Sequence, residues 1–95
     1  MEVVKVIFHK EKCASGGENV VAVFPEHKEG PGLFSSYAHV GQHSSMCYSY
    51  YLTTKKATED EYIDLLNELK SHGGYRDCEF RIYRKFTKAM RDIIR

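Results

Sequence analysis

The sequence predicts an α+β fold: a two-layer sandwich in which a mainly antiparallel sheet of about four strands packs against helices on one face. Short segments rich in β-branched and aromatic residues recur along the chain, which is typical of strands. Between them lies one longer segment with apolar residues at helical spacing. The elements follow the order β-β-β-α-β-α, and 95 residues suffice for a single domain, 1–95.

The first two predicted strands form a hairpin. Residues 3–8 are rich in Val and Ile, and residues 20–24 repeat this composition before Pro25, where we expect the second strand to stop. The turn signal Ser15-Gly16-Gly17 lies between them. Strands joined in this way pair antiparallel.

Residues 25–45 are predicted to form a long polar loop. Pro and Gly residues interrupt regular structure early in this segment, at positions 25, 30, 31 and 32. A loop of about 20 residues is unusual in a compact domain and is often functional. A short edge strand over 33–37 is the alternative, and it would shorten the loop.

A third strand is predicted over residues 46–54. Its alternate residues separate into an apolar face, expected to meet the core, and a more polar face: Met46, Tyr48, Tyr50 and Leu52 against Cys47, Ser49, Tyr51 and Thr53. Tyr48, Tyr50 and Tyr51 make this predicted strand rich in tyrosine.

A helix is predicted over residues 59–71, followed by a fourth strand and a last helix. Thr58 and Glu61 have the spacing of a capping box. An apolar stripe follows, formed by Tyr62, Leu65, Leu66 and Leu69, and Gly73 and Gly74 are expected to end the helix. Residues 77–86 alternate as a strand does, and Thr87 is expected to cap a helix over 88–94.

The composition points to a cytoplasmic protein with no membrane partner. No apolar run approaches the roughly 18 residues of a membrane span, and the N-terminus lacks the features of a signal peptide. The three cysteines, Cys13, Cys47 and Cys78, are widely spaced and contain no CxxC pair. We therefore expect reduced thiols and no thioredoxin-type chemistry.

The net charge of +1 is unevenly distributed along the chain. Residues 81–95 carry a net +5, whereas residues 59–68 contain five acids and no base. One interpretation is that the basic and acidic segments lie together and neutralise each other. The alternative is nucleic-acid binding through segment 81–95, with these candidate residues: Arg81, Arg84, Lys85, Lys88 and Arg91.

Residues 37–51 hold the highest density of polar and aromatic groups in the chain. Our leading hypothesis is a binding module without chemistry of its own, which uses the 25–45 loop and the tyrosine-rich third strand to bind a protein partner. The candidate binding residues are Tyr37, His39, Gln42, His43, Tyr48 and Tyr51. An exposed edge strand would also allow a homodimer. The plain alternative is a loop whose polar groups bond only to each other.

A small metal-binding protein or enzyme using His39, His43 and Cys47 is the second hypothesis, because imidazole and thiolate are the ligands that zinc prefers. The same residues include a candidate nucleophile and base, Cys47 and His43. Val40 stands where a zincin has its Glu, and Gly41 disfavours the helix that would align the two histidines. We therefore assign no catalytic residue and expect no cofactor, with zinc as the alternative.

Several segments between residues 20 and 70 resemble a small family of uncharacterised proteins of bacteria and their phages. The resemblance is carried by Phe24-Pro25-Glu26, the YAHVGQHS run of residues 37–44, Tyr48, Thr53-Thr54 and the Ala57-Thr58-x-x-Glu61-Tyr62-x-x-Leu65-x-x-Glu68-Leu69 pattern. This resemblance implies a bacterial or phage origin and a cytoplasmic setting. It assigns no role to any residue.

Overall fold

A computed structural model describes residues 2–12, 16–38, 42–72 and 78–95, and at residues 42 and 72 the backbone only. In chain order the elements are β1 (Glu2–Lys12), β2 (Glu18–Gly30), β3 (Leu33–Ala38), β4 (Gln42–Cys47), α1 (Tyr48–Tyr51), β5 (Lys55–Lys56), α2 (Glu59–His72), β6 (Cys78–Tyr83) and α3 (Lys88–Ile94).

The six strands form one sheet in the order β4-β3-β2-β1, with β5 and β6 sharing the other edge of β1. Strands β1 to β4 are antiparallel neighbours, and the predicted β1–β2 hairpin is confirmed. Strand β5 pairs antiparallel with β1 at His9 and Lys10, whereas β6 runs parallel to residues 2–7 of β1. The α+β class and the mainly antiparallel sheet are thus confirmed. The prediction of four strands in the order β-β-β-α-β-α is wrong.

Helices cover both faces of the sheet, so the predicted two-layer sandwich is also wrong. On one side, which we name the α2 face, Leu65 and Leu69 of α2 pack against Val6, Phe8 and Phe24. On the other, the α3 face, α1 and α3 pack on a second apolar cluster: Ile7, Val21, Val23, Phe34 and Met46. Consecutive residues of a strand point to opposite faces, so unbroken apolar runs such as Val6-Ile7-Phe8 supply both cores.

The predicted 25–45 loop is largely strand. Strand β2 continues past Pro25 to Gly30, because its pairing with β3 is irregular between Phe24 and Lys28. A proline, which has no N–H to donate, is tolerated at such an irregularity. The alternative of a short strand over 33–37 is confirmed as β3. A tight turn joins β2 to β3, with Gly32 at φ 70°, a conformation that favours glycine.

The tyrosine-rich third strand ends earlier than predicted. Residues 42–47 form β4, but residues 48–51 form the single helical turn α1. The helical turn brings Tyr48 and Tyr51 to the same ring, Phe86, at centroid distances of 5.1 and 4.8 Å. This packing overrides the β propensity of the tyrosines. Tyr50 and Leu52, which the strand would have buried, are exposed.

The two predicted helices are confirmed as α2 and α3. At the start of α2, the Thr58 N–H donates to Glu61 Oε1 at 2.8 Å, but the Thr58 hydroxyl also donates to that oxygen rather than accepting from the helix. Thr87 caps α3 by accepting from the Met90 N–H at 3.2 Å. The glycine stop predicted for α2 at residues 73 and 74 lies outside the described residues. No helix in the described ranges is long and apolar enough to cross a bilayer.

Candidate functional site

The sheet separates the predicted binding residues. Tyr37 is buried on the α2 face, where its hydroxyl donates to Glu68 Oε2 at 2.5 Å. The exposed ring of His43 lies edge-on to it at 4.7 Å. Tyr48 and Tyr51 pack on the α3 face instead. His39 and the side chain of Gln42 lie outside the described residues. The structure thus brings Tyr37 and His43 together on the α2 face and Tyr48 and Tyr51 together on the α3 face.

His43 and Cys47 do not meet in the structure. They lie four residues apart on one extended strand, which separates their Cα atoms by about 13 Å. The Cys47 thiol contacts the Ser49 hydroxyl at 3.4 Å, and this hydrogen bond lowers the pKa of the thiol. In the described part of the chain, no three His, Cys, Asp or Glu side chains are grouped as metal ligands. His39 and Cys13 lie outside that part.

Strand β4 forms an outer edge of the sheet. It pairs with β3 along its whole length, from the Leu33–Cys47 pair to the Ala38–Gln42 pair, and no other described strand pairs with it. Its sequence, QHSSMC, contains no charge and no proline. Charged residues and prolines on edge strands are the usual means of blocking pairing with another chain. Among the described strands none pairs with the outward backbone groups of β4, and its sequence lacks these obstacles to pairing with an added strand.

A groove of about 500 Å³ lies beside this edge on the α3 face. Its floor includes Ser36 of β3 and Ser44 of β4, which are paired in register and whose short side chains leave a depression on the sheet. Met46 and Cys47 line one end, and Tyr50 of α1 lines a wall. Side chains of an added strand would alternate between this groove and the opposite face.

Glu11 gives the groove its charge. The Tyr50 hydroxyl donates to Glu11 Oε2 at 2.9 Å, and this contact raises the pKa of the phenol. Among the described residues no Lys or Arg forms an ion pair with Glu11, so its carboxylate is available to a ligand at the groove wall. Carboxylate and hydroxyl groups together favour a ligand side chain that is basic or donates hydrogen bonds.

His9 fixes the position of helix α1 beside the groove. Its ring is 6% exposed and stacks on Tyr51 at a centroid distance of 4.4 Å. Its Nδ1 lies 2.7 Å from Thr54 Oγ1, and the Thr54 hydroxyl donates to the Tyr51 carbonyl at 2.6 Å. That hydroxyl oxygen is therefore the acceptor of the first bond, and we assign the proton of the neutral imidazole to Nδ1.

The other ring nitrogen of His9, Nε2, is buried without a hydrogen-bond partner among the described residues. Burial lowers the pKa of this imidazole, the backbone of Arg84 opposes that effect, and the charge of Lys56 reinforces it. The ring is therefore held in its neutral form, which stacks on Tyr51 without the cost of burying a charge.

The basic residues of α3 lie apart from the acidic helix. Helix α3 packs on the face opposite α2, so the predicted neutralisation of the tail by α2 does not extend to α3, whereas Arg84 lines the same cavity as Glu59 of α2. Lys88 pairs with Asp92 at 3.1 Å, and Arg81 lies 3.5 Å from Glu79. Arg84 and Lys85 have no acidic partner in the part of the chain that the structure describes.

Sequence reasoning missed four residues of this region: His9, Glu11, Ser36 and Tyr50. His9 and Glu11 continue the alternation of Ile7 on the α3 face, which is a signal that the sequence does contain. The groove itself depends on the helical turn α1, a segment for which the sequence predicts a strand. Comparisons of this chain with protein families, with curated proteins and with solved structures find no match. The resemblance to bacterial and phage proteins stays a prediction.

Proposed function

We propose that this protein is a small cytoplasmic binding module that captures an extended segment of a partner protein by strand addition at the β4 edge. The observation that carries the proposal is an uncharged, proline-free edge strand with a groove beside it. In strand addition, main-chain hydrogen bonds supply affinity and pockets for alternate side chains supply specificity. Both components are available at β4.

The groove selects the side chains of the added segment. Every second residue of that segment points to the α3 face. There its side chain can contact Glu11, Tyr50 and the hydroxyls of Ser36 and Ser44. Lys, Arg or a hydrogen-bonding side chain suits these groups better than Asp or Glu, which the Glu11 carboxylate repels. The partner is therefore an extended segment with basic or polar residues at alternate positions. A second copy of this chain, giving a homodimer, is the alternative source of a strand.

A selection from a displayed library of random peptides tests the proposal. We expect extended peptides that bind the wild-type protein and fail to bind Ser44→Lys, because the long cationic side chain fills the groove and reaches Glu11. Ser71→Lys is the matched control, since it makes the same change at an exposed position of α2. Peptides that bind both variants equally, or no enriched peptide at all, would contradict strand addition at β4.

Nucleic-acid binding through segment 81–95 is the second candidate function. It is favoured by the separation of α3 from the acidic helix α2 and by the absence of an ion pair at Arg84 and Lys85 among the described residues. Phosphate contacts release counterions, so affinity would fall steeply as salt rises. We expect the wild-type protein to bind a nucleic-acid duplex or single strand at low salt. The Arg84→Gln variant should bind it more weakly. No binding at low salt would exclude this candidate.

A further inference from the structure

The edge of β1 opposite β2 is interrupted at Phe8. Strand β6 accompanies β1 as far as the Ile7–Tyr83 pair, and β5 begins at the His9–Lys56 pair. Strands β6 and β5 thus lie one after the other along the same edge of β1, and Phe8 lies at the gap between them. A cavity of about 580 Å³ opens at this gap, far along the sheet from β4. Its volume is within the range of about 300–1,000 Å³ that is typical of small-molecule sites.

The floor of this cavity is apolar and aromatic. The ring of Phe8 stacks on Tyr62 of α2 with a centroid distance of 4.3 Å and an interplanar angle of 10°. The Ala57 N–H already donates to the Phe8 carbonyl at 3.1 Å, so the backbone there needs no further partner. Ile82 forms part of the lining and is 43% exposed. A flat apolar group placed in the cavity would cover this side chain and extend the aromatic contact.

The rim of the cavity carries positive charge. Lys56 and Arg84 line it, and neither forms an ion pair or a hydrogen bond with an acid in the described ranges. Their neighbours Lys55 and Lys85 are equally unpaired within those ranges.

The acids near the cavity do not cancel this charge. Glu59 is the acid among the residues that line the cavity. Its one negative charge compares with the two positive charges of Lys56 and Arg84. Glu61 is held by Lys10 at 2.8 Å and by the Thr58 N–H, and these contacts lower its pKa to about 2. Its carboxylate is therefore already bonded to Lys10 and Thr58.

We propose that this cavity binds a small organic anion in which an acidic group is joined to a flat apolar group. The apolar part lies on Phe8, Tyr62 and Ile82, and the acidic part is bound by Arg84 and Lys56. Charge-assisted hydrogen bonds from guanidinium and ammonium groups to an oxyanion are the strong ones available to such a ligand. This site lies at the opposite edge of the sheet from β4 and does not depend on the function proposed for that edge.

Two matched dyes test the proposal on the full chain. 8-Anilinonaphthalene-1-sulfonate carries a flat apolar group and a sulfonate, and N-phenyl-1-naphthylamine is the same molecule without the sulfonate. We expect one molecule of the sulfonate dye to bind per chain, about tenfold more tightly than the neutral dye. The reason is that Arg84 and Lys56 bond to the sulfonate, which the neutral dye lacks. In Arg84→Gln this difference should shrink to about twofold. Equal binding of both dyes to the wild-type protein would overturn the proposal.

Two pairs of variants separate the cavity from general surface effects. Ile82→Glu places a carboxylate in the lining and should abolish binding of the sulfonate dye. Val3→Glu makes the same kind of change at a residue that is also 43% exposed but lies on the other face, and should leave binding unchanged. Lys70→Gln removes a charge from α2 and is the control for Arg84→Gln. Far-ultraviolet circular dichroism verifies the fold of each variant. Equal losses in Ile82→Glu and Val3→Glu would overturn the assignment of the site.

Discussion

The imidazole of His9 stacks on the ring of Tyr51 at a centroid distance of 4.4 Å and so joins strand β1 to helix α1. This contact determines where Tyr50 lies, because Tyr50 is the adjacent residue of the same helical turn. Tyr50 in turn bonds to Glu11, two residues beyond His9 on β1. The wall of the proposed peptide groove is thus held by a buried neutral histidine.

Stability should decrease as the pH falls below about 6.5, the pKa of an unperturbed histidine. Burial lowers the pKa of His9 in the folded state, so the unfolded state binds the proton more readily. The stabilisation is fully present above the unfolded pKa and is lost as the pH falls toward the lower folded pKa. Urea unfolding at pH 7.5 and at pH 5.5 measures the decrease. His9→Phe keeps a ring on Tyr51 and should reduce the pH dependence, and an undiminished dependence would contradict this role of His9.

Removing the Thr54 hydroxyl should destabilise the protein by about 1–3 kcal/mol, because it leaves the buried Nδ1–H of His9 without a partner, whereas the Tyr51 carbonyl still accepts from the Thr54 N–H at 3.0 Å. The change is Thr54→Val, and chemical denaturation measures it. Thr53→Val is the matched control, since that hydroxyl bonds to the Tyr50 carbonyl at 2.6 Å but is exposed to solvent. We expect the control to change stability by less than about 0.5 kcal/mol. Equal losses in the two variants would show that burial at His9 is unimportant.

The Cys47 thiol should react faster with iodoacetamide at neutral pH in the wild-type protein than in Ser49→Ala. The Ser49 hydroxyl bonds to this thiol and lowers its pKa, and a lower pKa raises the fraction of reactive thiolate. Mass spectrometry of quenched samples gives the rate at each cysteine. The rate at Cys78, in β6, serves as the internal control and should not change. An unchanged rate at Cys47 would exclude activation by Ser49.

Glu11→Gln should weaken the binding of a selected basic peptide by about two- to fivefold, the effect of losing one partly exposed ion pair. The variant keeps the hydrogen bond from Tyr50 because an amide oxygen also accepts, so the groove should keep its shape. Fluorescence anisotropy of a labelled peptide measures the affinity. A peptide in which the basic residues are replaced by Gln is the control and should bind both proteins equally. An equal loss for both peptides would assign the effect to shape rather than to charge.

The local elements were predictable because their signals are local. Thr58 with Glu61 and Thr87 mark the starts of α2 and α3, and the leucines of α2 specify the face that it buries. The β1–β2 hairpin follows from two apolar runs joined by Gly16 and Gly17, both of which adopt positive φ.

The long-range relationships were not predictable in the same way. Tyr48 and Tyr51 have strand propensity, and only their shared contact with Phe86, far along the chain, favours a helical turn. The parallel pairing of β6 with β1 joins the two ends of the chain and has no local signal. The helices on both faces did have a signal, since residues 6–8 and 20–24 are apolar without alternation.

The groove was missed for the same reason. It exists because two small residues, Ser36 and Ser44, face each other on the sheet and because α1 rises beside them. The sequence directs attention to residues 37–51, part of which lines the groove, but it predicts a strand for Tyr48, Tyr50 and Tyr51. The binding surface that we propose instead uses the backbone of β4.

Amide hydrogen exchange of β4 with and without a selected peptide tests strand addition most directly. In a strand, alternate N–H groups point to opposite edges, so only every second amide of β4 is available to an added strand. We predict that the peptide slows exchange at alternate amides of β4 and leaves the amides of β6 unchanged. Uniform protection of β4, or protection confined to other elements, would contradict capture of a partner segment at this edge.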